Sequence, residues 1–456
     1  MSDLYTKFKN IIRKHRLLPQ NRHLVAGVSG GVDSMVMLDL LRKYKKRNPN
    51  SIKLVAAHVN HMTREGKSDL DQKLVEKYCQ KNSIPIEIRK IDVPGMAQES
   101  NQSFEMVARK VRYDFFGELA GEGRIATAHT LDDHIETILQ RIMKGTGLKG
   151  LSGIQYKAGN VIHPLLFATK QDLYYYANEN NIDFNEDHTN YENHCERNVL
   201  RNTIIPEIQK EINPGYRDAI HRLSKIALES DDFITKRAQE QLLKVITKSS
   251  SWYQTLAIEK LKSLHPALIK KIIYLTCHRL RPYVALEYAS FEQIMEQLSR
   301  KNEGQIINLG SGLAANFDRK SLVIYDKKLQ RWDEKKIVIG ENYQTASFIF
   351  KSKPSGNSWN KAMNDNVEFI DRDKIDGKIV LRHWQSGDKF RPVNFGHTKK
   401  LSDLFINEKI GKFRKHYLPI LIDDNNIIWV CGLRLSDRYK IDKNTSNIVK
   451  MEYYER

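Results

Sequence analysis

Five short apolar runs, at residues 24–28, 54–59, 84–91, 125–128 and 161–166, alternate with stretches of helical periodicity at 33–43, 68–81, 103–119 and 131–143. Apolar runs of that length bounded by polar turns read as strands, and their alternation with helices predicts a parallel α/β sheet with crossover helices on its faces. Sheets of this kind bind ligands beyond the carboxyl ends of their strands. The residues that follow each run are therefore where function is to be sought.

Three of these ends are polar: the turn 29–34, the segment His58-Val59-Asn60-His61, and Ala128-His129. The first, Ser29-Gly30-Gly31-Val32-Asp33-Ser34, lies between a strand and a helix. Two adjacent glycines let the backbone approach an anion closely. Two serines and the first helical N–H groups donate hydrogen bonds, and the helix dipole favours negative charge, so the turn suits a phosphate. Asp33 then suits a magnesium ion riding on that phosphate. A glycine-rich helix start that binds nothing is the alternative. The turn is not a Walker A loop: the nearest match, residues 61–68, ends in Gly66-Lys67-Ser68 but has His61 in place of the first glycine. Gly145, Gly147 and Gly150 match the dinucleotide glycine spacing, yet they follow a helix rather than a strand.

Carboxylates concentrate in Ala128-His129-Thr130-Leu131-Asp132-Asp133-His134-Ile135-Glu136-Thr137. Asp132 and Asp133 fall in the first turn of a helix, and Glu136 lies on the face of Asp133. Asp133 with Asp33 suits a magnesium site, and Glu136 suits contact with the ion or a reacting base. Helix capping is the competing account, because acids are favoured in any first turn. A zinc site built from His58, His61, His129 and His134 lacks the usual cysteine or HExxH spacing. On the helix from Ser103, Arg109 and Arg112 suit neutralisation of developing phosphate charge, with surface ion pairing as the alternative.

The chain carries a formal net charge of +19 over 456 residues. A surplus of that size attracts polyanions, and its spread over residues 42–47, 197–210, 261–281 and 399–415 fits a long ligand such as a structured RNA. No apolar stretch is long enough to span a bilayer, and residues 1–10 do not read as a secretory signal, so no membrane partner and a cytoplasmic location are expected. Cys79, Cys195, Cys277 and Cys431 are too scattered for a metal or redox motif. From about Gly215 the pattern changes to helices with Lys-rich faces through Arg281. A hairpin is predicted over 305–325, a polar linker over 352–366, and a small β-rich terminal domain with runs at 379–382, 419–422 and 427–430.

The turn 29–34, the segment His58-Val59-Asn60-His61-Met62-Thr63-Arg64, Glu105 with Arg109, Arg112 and Tyr113, residues 128–137 and the glycine-rich 144–153 together resemble the N-type PP-loop ATPases, and within them the tRNA(Ile)-lysidine synthase family. Glu186-Asp187, Thr189-Asn190, Arg197-Asn198 and Arg201 are similar to the end of the family's catalytic domain. Residues 387–392, 399–403 and 432–434 are similar to its terminal domain. The resemblance implies a PP-loop (adenine nucleotide alpha-hydrolase-like) catalytic domain over 1–214, a mainly helical tRNA-binding or linking domain over 215–345, a linker over 346–377 and a β-rich α+β tRNA-recognition domain over 378–456.

It also implies a two-step ligation. ATP adenylates the wobble cytidine of an isoleucine tRNA with a CAU anticodon, and free L-lysine then displaces AMP to give lysidine. Ser29, Gly30, Gly31, Val32, Asp33 and Ser34 would grip ATP, with Asp33 and Asp133 on Mg2+. Arg109, Arg112, His129, Asp133 and Glu136 would join Asp33 in catalysis, and His61, Arg64, Arg197, Arg201, Lys399 and Lys400 would meet tRNA or substrate. A homodimer is compatible with the family. Two rival readings are a PP-loop enzyme that adds sulfur, for which no two cysteines are close in sequence, and a non-catalytic RNA-binding protein, which would not need Asp33, Asp132, Asp133 and Glu136 together. Glutamine-dependent synthetases of the same superfamily carry an amidotransferase domain that neither terminus resembles.

Overall fold

The computed structural model describes residues 4–19, 22–63, 67–186, 196–282, 284–300, 304–330, 332–356, 366–424 and 426–456. The chain forms two compact units, divided between Asp232 and Phe233.

The first unit is built on a six-stranded sheet of β1 (His23–Gly27), β2 (Lys53–Asn60), β3 (Ile86–Lys90), β4 (Arg124–Ala126), β5 (Lys157–Ala158) and β6 (Val161–Ile162), in the order β3-β2-β1-β4-β6-β5. All neighbours are parallel except β5 with β6. Alternate residues of the central strands serve two cores. Leu24, Ala26, Leu54 and Ala56 join one, with α1 (Leu4–Lys14), α2 (Val32–Arg47), α3 (Lys67–Lys81) and, later in the chain, α8 (Lys170–Glu179). Val25, Ala57 and Val59 join the other, with α4 (Val93–Ser100) and α5 (Phe104–Ala120). Burial on both faces is why these strands read as continuous apolar runs instead of alternating ones.

Two more helices complete this region, α6 (Leu131–Met143) and the single turn α7 (Leu148–Leu151). The fifth predicted strand is cut short at Ile162. Pro164 has no N–H for a ladder, and residues 164–167 form a turn that buries Leu165 and Leu166 without strand pairing. After residue 196 the backbone is helical with two π-type turns, Leu200–Ile204 and Ile208–Ile212. Such wide turns are rare and re-aim the side chains they carry.

Among its described residues the second unit holds three principal sheets. In the first, Ile246–Ser249, Tyr253–Ala257, Ser321–Asp326, Leu313–Asp318 and Ile306–Gly310 lie side by side, antiparallel throughout, packed with helices Pro266–Leu280 and Tyr288–Ser299. The expected run of helices through Arg281 is thus interrupted by a strand pair, and the expected hairpin has three strands.

The terminal region adds a sheet centred on Ile379–Arg382, Ile420–Asp423 and Asn426–Val430, and a second in which Phe348–Ser355 and Val367–Asp371 flank Ile448–Glu455. Residues 346–377, read from sequence as a linker, therefore contribute two strands. Pro354 is tolerated because it lies past the end of Asn342–Gln344, where its strand is an edge. Residues 357–365 of that segment lie outside the described ones. Within this unit the Asp318 carboxylate accepts the Lys412 and Phe413 N–H groups, and Trp252, Tyr253, Tyr325, Phe413 and Tyr417 form one aromatic cluster. No helix among the described residues is long and apolar enough to cross a membrane.

Candidate active site

In the first unit β2 and β3 lie on one side of β1 and β4 on the other, so the chain reverses its direction of travel across the sheet between β1 and β4. A crevice opens at the carboxyl ends of the two strands at such a switch point. The turn 29–34 follows β1, and residues 127–130 follow β4.

The turn is tied to itself. Ser34 Oγ accepts the Ser29 N–H at 3.1 Å and donates to the Gly31 carbonyl at 2.9 Å, and Gly30 takes a φ of +97°, which only glycine adopts without strain. Gly31 is the N-cap of α2 and brings no side chain to the first helical N–H groups. Free first-turn N–H groups of this kind suit an anion. Behind them, Asp33 Oδ1 is buried without a hydrogen-bond partner. Burial pushes this carboxyl up to about 6, partly offset by Lys170 and reinforced by Asp133. A cation beside Asp33 would supply the partner that the fold withholds, so the residue fits magnesium. Among the described residues no group of three or more His, Cys, Asp or Glu is arranged around a metal position. A hard cation here would rely on phosphate oxygens as well as protein ones.

Across the crevice, Thr130 caps α6 through a reciprocal box in which its Oγ accepts the Asp133 N–H while Asp133 Oδ2 accepts the Thr130 N–H at 2.8 Å. The capping account of Asp133 is therefore correct for one oxygen. The other, Oδ1, accepts Arg197 Nη2 at 2.7 Å and Arg201 Nη2 at 3.4 Å. Burial pushes the Asp133 carboxyl up, but Arg197 and the Thr130 N–H outweigh it and hold it below the usual carboxylate range. Glu136, one turn on and 2% exposed, accepts Arg197 Nε at 2.8 Å and Arg201 Nε at 2.6 Å. Asp132 faces away from this pair, taking the Lys170 N–H at 2.7 Å and Arg217 Nε at 2.9 Å.

His129 stands edge-on to His163 with ring centroids 4.8 Å apart, and its Nδ1 lies 3.0 Å from Thr127 Oγ1. Burial, with His163 beside it, brings its pKa down to about 4, so it is a neutral imidazole at physiological pH.

A family profile described as a PP-loop domain matches residues 1–208, and one described as the TilS substrate C-terminal domain matches residues 379–452. A protein of Caldanaerobacter subterraneus subsp. tengcongensis named tRNA(Ile)-lysidine synthase is 32% identical over 98% of this chain and 97% of its own length. The chain belongs to the tRNA(Ile)-lysidine synthase family. A Clostridium tetani protein of the same name is 32% identical over 97% of both chains, and one from Thermotoga maritima is 29% identical over 92% of this chain and 94% of its own.

For a chain of the lysidine synthase family, the remaining residues singled out from sequence fall in three places. Arg109 and Arg112 lie on α5 and form no ion pair among the described residues, which removes the surface-pairing account. Arg109 stacks on Tyr113 at 4.7 Å and its charge is felt by His129 and His163, while Arg112 lies near His61. His61 is brought down to about 4 by burial and then by Arg112, and its Nδ1 is buried without a partner. Arg64 lies outside the described residues. Lys399 and Lys400 line a groove of the second unit with Lys389 and His397, and Lys399 sits over the Phe395 ring at 4.0 Å.

Three of the four histidines weighed as a zinc site, His58, His129 and His134, have separate hydrogen-bond partners, and His61 stands edge-on to Phe104. His58 donates Nδ1–H to the Val28 carbonyl, and His134 joins the backbone of Ile154 to Ser224 Oγ. Sequence reasoning missed Lys170, Arg217 and His163. His163 follows β6 directly, but the run 161–166 placed it inside the predicted strand, so the strand-end rule pointed past it. Lys170 and Arg217 carry no local signal, because they reach the site from distant helices.

Proposed function

We propose that this chain ligates L-lysine to the wobble cytidine of an isoleucine tRNA with a CAU anticodon, using ATP and releasing pyrophosphate and AMP, in the cytoplasm. One observation carries the reading: a phosphate turn and a pair of arginine-bound carboxylates face each other across the switch point of the sheet. In the first step the cytidine ring carbonyl oxygen attacks the α-phosphorus of ATP, and pyrophosphate leaves. In the second the lysine ε-amine attacks the same ring carbon, and AMP leaves with the oxygen.

Ser29, Gly30, Gly31, Val32 and Ser34 grip the phosphates through N–H and O–H donors. Asp33 and Asp133 would hold a magnesium ion, which when bound neutralises charge on the departing pyrophosphate. Arg197 and Arg201 hold Asp133 Oδ1, so a metal ion on that oxygen would have to share it with them. Arg109 and Arg112 stabilise charge developing on the phosphate, and neutral His129 and Glu136 orient the base or the amine. Residues 1–214 carry this chemistry. The basic surfaces of 215–345 and 378–456, including Lys399 and Lys400, hold the tRNA. A flipped base needs such a crevice together with a wide basic surface to hold the rest of the RNA.

The test is incubation with ATP, magnesium, radiolabelled lysine and transcribed isoleucine tRNA, beside a transcript whose wobble cytidine is uridine. Label in the first alone, with AMP released, is expected. AMP release without lysine incorporation would overturn the assigned nucleophile.

A further inference from the structure

A turn that receives an anion must present its N–H groups and turn its carbonyl oxygens away. Around this turn three carbonyls are each tied by a hydrogen-bond donor. The Val28 oxygen accepts His58 Nδ1–H at 2.8 Å, the Gly31 oxygen accepts Ser34 Oγ–H at 2.9 Å, and the Gly30 oxygen accepts the Asn185 N–H at 3.0 Å. Asn185 is itself fixed, because its Nδ2 donates to Asp71 Oδ1 at 2.7 Å. That same Asp71 oxygen lies 3.2 Å from where a Cβ on Gly30 would stand, so the carboxylate also closes the space beside the glycine. Asp71 comes from α3 and Asn185 from the segment after α8, and neither belongs to the turn or to the arginine-bound carboxylates.

We propose that Asp71 and Asn185 form a clasp that holds the Gly30 peptide with its carbonyl away from the nucleotide, which makes both of them positioning residues for ATP phosphate binding. The proposal rests on the reading of residues 29–34 as the phosphate site. The Asn185 side chain is suited to the task because an amide N–H donates to a carboxylate, whereas a carboxylate at 185 would face a second carboxylate.

The experiment measures affinity of the full chain for a non-hydrolysable ATP analogue with magnesium, by calorimetry, for the parent, Asn185→Asp, Asp71→Ala, Asp71→Asn and the exchanged pair Asp71→Asn with Asn185→Asp. Asn185→Asp is expected to weaken binding roughly tenfold and Asp71→Ala several-fold, while the exchanged pair, which rebuilds an amide-to-carboxylate bond in the opposite sense, returns to about the parent value. Melting temperature and tRNA affinity stay at the parent level throughout. Parent affinity in Asn185→Asp or in Asp71→Ala overturns the clasp, as does an exchanged pair as weak as Asn185→Asp. The readout is binding alone, so a parent that binds the analogue and makes no lysidine overturns the proposed reaction without touching the clasp. A parent that does not bind the analogue overturns both.

Discussion

Arg201 grips Glu136 with two parallel bonds, Nε to Oε1 at 2.6 Å and Nη2 to Oε2 at 2.9 Å, on a carboxylate that is almost wholly out of water. A buried carboxylate tolerates ionisation only while it is paired and hydrogen-bonded. Replacing Arg201 by Gln is expected to destabilise the first unit near the low end of about 3–5 kcal/mol, since Arg197 remains. Replacing Glu136 by Gln at the same time should recover much of that loss, with AMP formation abolished in both. Denaturant midpoints for the two single variants and the double variant measure this coupling.

Asp133 has two duties, one oxygen on each. Asn at this position keeps an acceptor for the Thr130 N–H, so the helix cap survives and melting temperature stays near that of the parent. Its loss of charge removes one of the two counter-ions of Arg197, Glu136 being the other, and the proposed metal ligand. Asp133→Asn is expected to cut AMP release by about a hundredfold or more with tRNA affinity unchanged; full activity in that variant would falsify the assignment.

The Asp33 carboxyl is raised by burial to about 6 from an ordinary 3.8. A raised carboxyl favours the native state while it is protonated in both native and unfolded chains, and that advantage is lost as pH climbs from about 4 through about 6. Relative to parent, Asp33→Asn should therefore be equally stable near pH 4 and more stable at pH 7.5, by up to about 3 kcal/mol without metal. Magnesium with ATP should stabilise the parent and leave Asp33→Asn unmoved. Thermal unfolding across that pH range, with and without the ligands, reads both effects.

Lys399 and Lys400 belong to a groove far in sequence from the phosphate turn. Deleting everything from Lys378 is a poor test of tRNA binding, because it also removes Ile448–Glu455, the strand between Phe348–Ser355 and Val367–Asp371. The double substitution of Lys399 and Lys400 by Ala leaves those strands in place. If each lysine meets a phosphate, tRNA affinity falls and the slope of log affinity against log salt becomes shallower by about 1.5–2. An unchanged slope would remove these two residues from the tRNA interface.

The tight glycine turn at 29–34 and the acids of residues 128–137 were legible as local structure because their signals are local. A pair of glycines between an apolar run and a helix, or acids in a first helical turn after Thr130, declare themselves through neighbours in sequence. The strand limits were less legible. Leu165 and Leu166 are apolar because they are buried, and burial in a turn leaves the same trace as burial in a strand. In the same way Ser352 to Ser355 has the composition of a linker while pairing with Ile448 to Met451, since edge strands tolerate polar residues and proline.

By itself, then, the sequence determined that a parallel sheet would form, and that a glycine-rich turn and an acidic helix start would emerge from its strand ends, because periodicity and turn chemistry act over a few residues. Tertiary structure alone decided that β1 and β4 are neighbours, that Arg197 from the helical turn Glu196–Val199 and Arg201 from the π-turn after it reach back to Asp133 and Glu136, and that Asp33 is left buried with an unpartnered oxygen. Those outcomes depend on which distant groups share a low-dielectric space. An acid on a first helical turn reads the same whether water, a metal or an arginine is waiting for it.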